Sequence, residues 1–74
     1  MRNRDGFVSA QSIEVDCALY TIQSQGELYQ LYEYNNGAHL DYVIRRKDGT
    51  IVRHNDPEAL LVFKIFTEHY DGTN

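Results

Sequence analysis

Two dipeptides, Asn36-Gly37 and Asp48-Gly49, interrupt a stretch in which apolar and polar residues alternate, and they constrain the fold more than any other feature. A two-residue type I′ turn needs positive φ at both central positions, which Asn, Asp and Gly reach at little cost. Strict alternation is the mark of a strand with one buried face. Strands joined by such turns lie antiparallel to their neighbours. The chain is therefore expected to form a meander.

Four strands are predicted. Ile13, Val15, Cys17 and Leu19 alternate with Glu14, Asp16, Ala18 and Tyr20 in the first; β-branching and alternation favour a strand there over a helix. Gly26 marks a turn before residues 27–34, Asn36-Gly37 leads into residues 38–46, and Asp48-Gly49 into residues 50–53. Residues 1–11, mostly polar around Phe7-Val8, read as a loose N-terminal segment. The last element is a helix. Asp56 suits the N-cap, Pro57 the first helical position, and Glu58 the positive end of the helix dipole. Ala59, Val62, Phe63, Phe66 and Tyr70 follow helical spacing, Leu60 and Ile65 widen that stripe, and Gly72 marks the stop.

Seventy-four residues with a net charge of -4 and a single cysteine suit one domain without an internal disulfide. The apolar content of 42% is too high for a disordered chain. No apolar run approaches the roughly 20 residues that span a bilayer, and no signal peptide is evident, so a cytoplasmic protein without membrane contact is expected. The expected class is α+β: a four-stranded antiparallel β-meander with one C-terminal helix packed on one face (ββββα).

Register then assigns side chains to faces. A two-residue loop at Asn36-Gly37 sets Tyr34 opposite His39 and Tyr32 opposite Asp41, with Leu31 and Tyr29 facing Tyr42 and Ile44. A two-residue loop at Gln25-Gly26 would bury Asp16 and Glu14, at a cost of several kcal/mol, so a three-residue loop over residues 24–26 is expected. The Asp48-Gly49 turn adds Ile51 to the Ile44 side. The predicted core is Val15, Cys17, Leu19, Tyr29, Leu31, Leu40, Tyr42, Ile44 and Ile51 beneath the helix stripe. The other face would carry Glu14, Asp16, Ala18, Tyr20, Ile22, Leu28, Gln30, Tyr32, Tyr34, His39, Asp41, Val43 and Arg45.

That uncovered face directs the functional expectation. Tyrosines supply much contact area at small entropy cost, and an apolar patch rimmed by polar groups on a small domain marks a contact surface. Glu14, Asp16, Tyr20, Tyr32, Tyr34, His39 and Asp41 are the candidate partner-binding residues, and the expected partner is another protein with a basic surface. Carboxylates can stand in for phosphates, so such a module could inhibit a nucleic-acid-handling protein. In size and charge alone the chain is similar to the small acidic inhibitors that phages encode, anti-CRISPR proteins among them.

Two further readings compete. The same face could form a homodimer. Alternatively, Arg45, Arg46, Lys47 and Arg53 could hold nucleic acid, since residues 45–54 carry +3 against -4 before and -3 after them. The acidic remainder disfavours that. Neither a nucleophile with an adjacent base nor a phosphate-cradling glycine pattern is present, so no enzyme and no cofactor are expected. His39, His54 and His69 fall one per element and Cys17 is assigned to the core, which leaves no metal-ligand spacing.

Overall fold

A computed structural model describes residues 5–71, with side chains through residue 69. It is α+β, an antiparallel sheet with one C-terminal helix, but the sheet has five strands rather than four. They run in chain order: β1 (Gly6–Glu14), β2 (Cys17–Ser24), β3 (Glu27–Asn35), β4 (Leu40–Arg46) and β5 (Ile51–Val52), followed by α1 (Pro57–Asp71). Much of the segment expected to be loose is thus strand. The expected first strand is two strands, with Val15 and Asp16 forming the turn between Glu14 and Cys17.

This division settles the parity of β2. Gln25 and Gly26 form the two-residue loop that the carboxylate argument had excluded, with φ of +54° and +79° and Ser24 paired with Glu27. Positive φ at both positions is the type I′ requirement. The objection fails because Asp16 lies in a turn and Glu14 ends β1, so neither carboxylate enters the core. Asp5 closes the Gln25-Gly26 turn from outside, its carboxylate accepting bonds from both backbone N–H groups at 2.8 and 3.2 Å.

The other two turns are longer than predicted. Residues 36–39 form a four-residue loop, leaving Asn35 opposite Leu40, Tyr34 opposite Asp41 and Leu31 opposite Ile44. Register shifts by two residues and parity survives. Side-chain amides explain the extra length: Asn35 Oδ1 accepts from Gly37 N, and Asn36 Oδ1 from His39 N. At the next hairpin Arg46 N donates to Thr50 O, and Gly49, at φ +93°, donates back to Arg46 O. This three-residue loop puts Val52 opposite Ile44 and Ile51 opposite Arg45.

The core follows directly. Tyr20, Ile22, Tyr29, Leu31, Ile44 and Val52 line the covered face and meet Ala59, Val62 and Phe66 of α1, with Phe7, Ala18, Tyr42, Phe63 and Ile65 packed around them. Four predicted core residues lie elsewhere. Val15 is at a turn tip and 97% exposed, Leu40 and Ile51 are exposed, and Leu19 is half-buried on the far side of the sheet. Cys17 is buried, but it too faces the far side, opposite Tyr34. Tyr20 and Ile22, predicted outside, are inside.

The helix begins as expected. Asp56 Oδ1 accepts from Glu58 N at 2.9 Å, and Asp56 O accepts from Ala59 N. Leu60 does not widen the buried stripe, being 59% exposed. The expected stripe residue Tyr70 lies outside the described side chains, and the Gly72 stop lies outside the described residues. Glu58 reaches Tyr29 and Arg46, while His69 stacks on Phe7 at 3.8 Å, so α1 crosses the strands from β4 to β1. Edge-on contacts of Tyr42 with Phe63 and Phe66, and of Tyr20 with Phe66, fill the space beneath it.

This parity can be checked by truncation. Leu31→Ala, in the dry layer, is expected to cost about 3 kcal/mol in chemical denaturation. Leu28→Ala, on the uncovered face, should stay within about 0.5 kcal/mol. Equal costs would refute the observed register.

Candidate protein-binding face

With α1 on one side, the other side of the sheet carries no further element of the described chain. Cross-strand partners point the same way, so the pairings give this face in rows. Gln11, Leu19, Tyr32 and Val43 form one; Glu14, Cys17, Tyr34 and Asp41 form the next toward the β3–β4 loop. On the other side of the first row lie Ser9, Thr21, Gln30, Arg45 and Ile51.

Tyr32 and Tyr34, two residues apart on β3, stack with ring centroids 6.3 Å apart and planes 12° from parallel. The Arg45 guanidinium sits over the Tyr32 ring at 5.9 Å, extending the stack into a cation–π contact. Tyr34 is 41% exposed, and its phenol is pushed above its ordinary pKa by partial burial, by the Cys17 thiol beneath it and by Tyr32. Leu28 and Ile51 are also exposed here. The face is therefore aromatic in the middle and aliphatic at one end.

Carboxylates gather at the opposite end. Asp41 and Glu14 lie in the Tyr34 row, and Asp16 occupies the adjoining turn, where its carbonyl accepts from Asn35 N at 2.9 Å. His39 is in the 36–39 loop rather than opposite Tyr34. Its Nε2 lies 3.2 Å from Asp41 Oδ1, and Asn36 Nδ2 donates to Asp41 Oδ2 at 2.7 Å. An open hollow of about 180 Å³ at this end is lined by Ser12, Ala18, Glu33 and Leu40, whose register positions turn to the helix side, so it is not part of this face.

Six of the seven predicted partner-binding residues thus lie on this face or at its rim. Tyr20 does not. It is 7% exposed beneath α1, and its hydroxyl donates to Glu33 Oε1 at 3.2 Å. The reason is the parity of β2: its even-numbered residues turn toward the helix. Thr21 holds the place opposite Gln30 predicted for Tyr20, a residue whose strand position is legible in the sequence but whose side is not.

The basic hairpin is partly committed to its own fold. Arg46 pairs with Glu58 through Nη2 and Oε1 and also donates to Thr50 Oγ1. Arg45 donates to Gly49 O at 3.0 Å as well as covering Tyr32. Asp48, held below the usual carboxylate range by bonds from the Thr50 backbone and hydroxyl, closes the turn. Lys47 and Arg53 remain exposed.

No protein-family model matches the chain, and no significant match was found among curated proteins or solved structures.

On the helix side, Glu58 joins strand to helix. It accepts from Tyr29 at 2.6 Å and from Arg46, and these bonds hold its carboxyl below the ordinary range. Burial, reinforced by the Glu58 bond and charge, pushes the Tyr29 phenol up to about 12. An unfolded tyrosine ionises near 10. Because the folded value is the higher one, this contribution is intact below about pH 10 and is lost as pH rises toward 12. Denaturation across that range should show stability falling. Tyr29→Phe should flatten the fall while costing about 1 kcal/mol at neutral pH for the lost hydrogen bond.

Proposed function

We propose that this protein is a non-catalytic module that binds another protein through its uncovered sheet face. The reading rests above all on the Tyr32–Tyr34 stack, two phenol rings held parallel and partly exposed on the side of the sheet away from the helix. Rings held in place by each other and by Arg45 lose little freedom on docking, so the area they bury is retained as affinity. Leu19 and Val43 flank them, as an interface core requires.

Glu14, Asp16 and Asp41 at one end favour a partner with a basic surface and would speed its approach. A basic surface that otherwise holds nucleic acid is the natural target, with the three carboxylates taking the place of phosphates. The module then acts as an inhibitor by occupying that surface.

The test uses the partner recovered on immobilised wild-type protein, titrated against wild type and the Tyr32→Ala/Tyr34→Ala variant by calorimetry. The variant should bind more weakly by at least about 2 kcal/mol, roughly thirtyfold, with an unchanged circular dichroism spectrum. Asp41→Asn with Glu14→Gln should slow association and flatten its dependence on salt. Undiminished affinity in the tyrosine variant would remove this face from the interaction.

A further inference from the structure

The sheet has two edges of unequal length, β1 with nine residues and β5 with two. Within the described chain β1 pairs only with β2. Every second residue along such a strand turns its N–H and C=O outward, where no ladder receives them. Natural edges of this kind are guarded by charge, by proline, by brevity or by bulges that twist the edge away, and the register shifts of β1 fall outside its central residues 9–12. Residues 6–13 of β1 contain no charge and no proline, and Glu14, the last residue, is the strand's single charged group.

The strand is also held in place. Phe7 stacks on His69 of the helix and lies against Tyr20, and Asp5, just before the strand, grips the Gln25-Gly26 turn. Two register shifts, between Phe7 and Ser9 and between Ser12 and Glu14, lie toward the ends. Residues 9–12 between them stay in continuous register with β2. Val8 and Ile13 flank this stretch and are about half exposed, at 53% and 45%.

We propose that β1 pairs antiparallel with β1 of a second copy of this chain, about a two-fold axis normal to the sheet within residues 9–12. The two edges decide the occupant. Head-to-tail addition would join β1 to β5, which offers only two residues of ladder, whereas the two-fold arrangement uses the long edge twice and closes after two copies. Charge permits it. Antiparallel pairing carries Glu14 of one copy to the Gly6 end of the other, so the two Glu14 carboxylates stay at opposite ends. The residues between them form a ladder without stranding a charge. This pairing is independent of the open-face reading and could hold without it.

Light scattering and amide hydrogen exchange test the pairing on the full chain. Wild type at high micromolar concentration should have the mass of two chains, and amides within residues 9–12 should exchange more slowly there than in dilute solution. Ser9→Lys/Gln11→Lys places ammonium groups beside the axis at positions that are exposed in the single chain, so the variant should have the mass of one chain with an unchanged circular dichroism spectrum. A single-chain mass for wild type at every concentration would overturn the proposal. So would a dimer that survives both lysines, or β1 exchange that does not depend on concentration. The exchange measurement needs only wild type, so the proposal stays testable even where the lysine variant fails to fold.

Discussion

The parity of β2 governs the rest of the molecule, and two tight turns govern that parity. Val15-Asp16 and Gln25-Gly26 bracket eight residues, so the strand between them has no freedom to slip by one. Given that register, Tyr20 and Ile22 lie under the helix, while Cys17, Leu19 and Thr21 face away from it. Every later strand inherits its side through cross-strand pairing. A slip of one residue would bury Thr21 and Gln23 in place of Tyr20 and Ile22. The loss of apolar burial would be several kcal/mol on a domain of this size.

The covered layer is not purely apolar, and its polar groups are arranged so that none is left alone. Glu33 accepts from the hydroxyls of Tyr20 and Tyr42, which flank it on the same side of the sheet. Glu58 does the same for Tyr29 and adds Arg46. Each tyrosine buries its ring and delivers its hydroxyl to a carboxylate at the margin of the helix. Among the described residues no buried side-chain nitrogen or oxygen is left without a partner. A helix fifteen residues long can therefore seat on a sheet rich in tyrosine without stranding hydroxyl groups.

The helix was the most legible element, because its cap, Pro57 and apolar spacing are local signals that no distant contact overrides. The faces of β3 and β4 were legible too: Tyr29, Leu31, Tyr42 and Ile44 fall on the helix side as their alternation implies. What misled was continuous alternation from Ile13 to Leu19. It looks like one strand, whereas Val15-Asp16 is a turn without glycine, so nothing in its composition announces the reversal. Burying carboxylates is costly, but that cost was charged to residues that sit outside the sheet. The same unannounced reversal hides β1 from the sequence, and it lends the candidate site a ring, Tyr20, that belongs to the core. Tyr32 and Tyr34 were unaffected because a shift of two residues leaves side intact.

Edge and face draw on different chemistry in the same strands. The outward N–H and C=O groups of β1 lie in the plane of the sheet, whereas Tyr32, Tyr34 and their neighbours project from it, so neither surface obstructs the other. A two-fold axis normal to the sheet keeps each face on its own side. Two copies paired through β1 would therefore present both tyrosine stacks in one direction, with Gln11 and Ser9 of each copy between them. A partner offering two basic sites at matching separation would meet the second stack at a high effective concentration once the first had docked. Modest affinity at one small face would then suffice for tight attachment, which is a physical reason for a chain this short to leave the centre of its long edge without charge, proline or bulge.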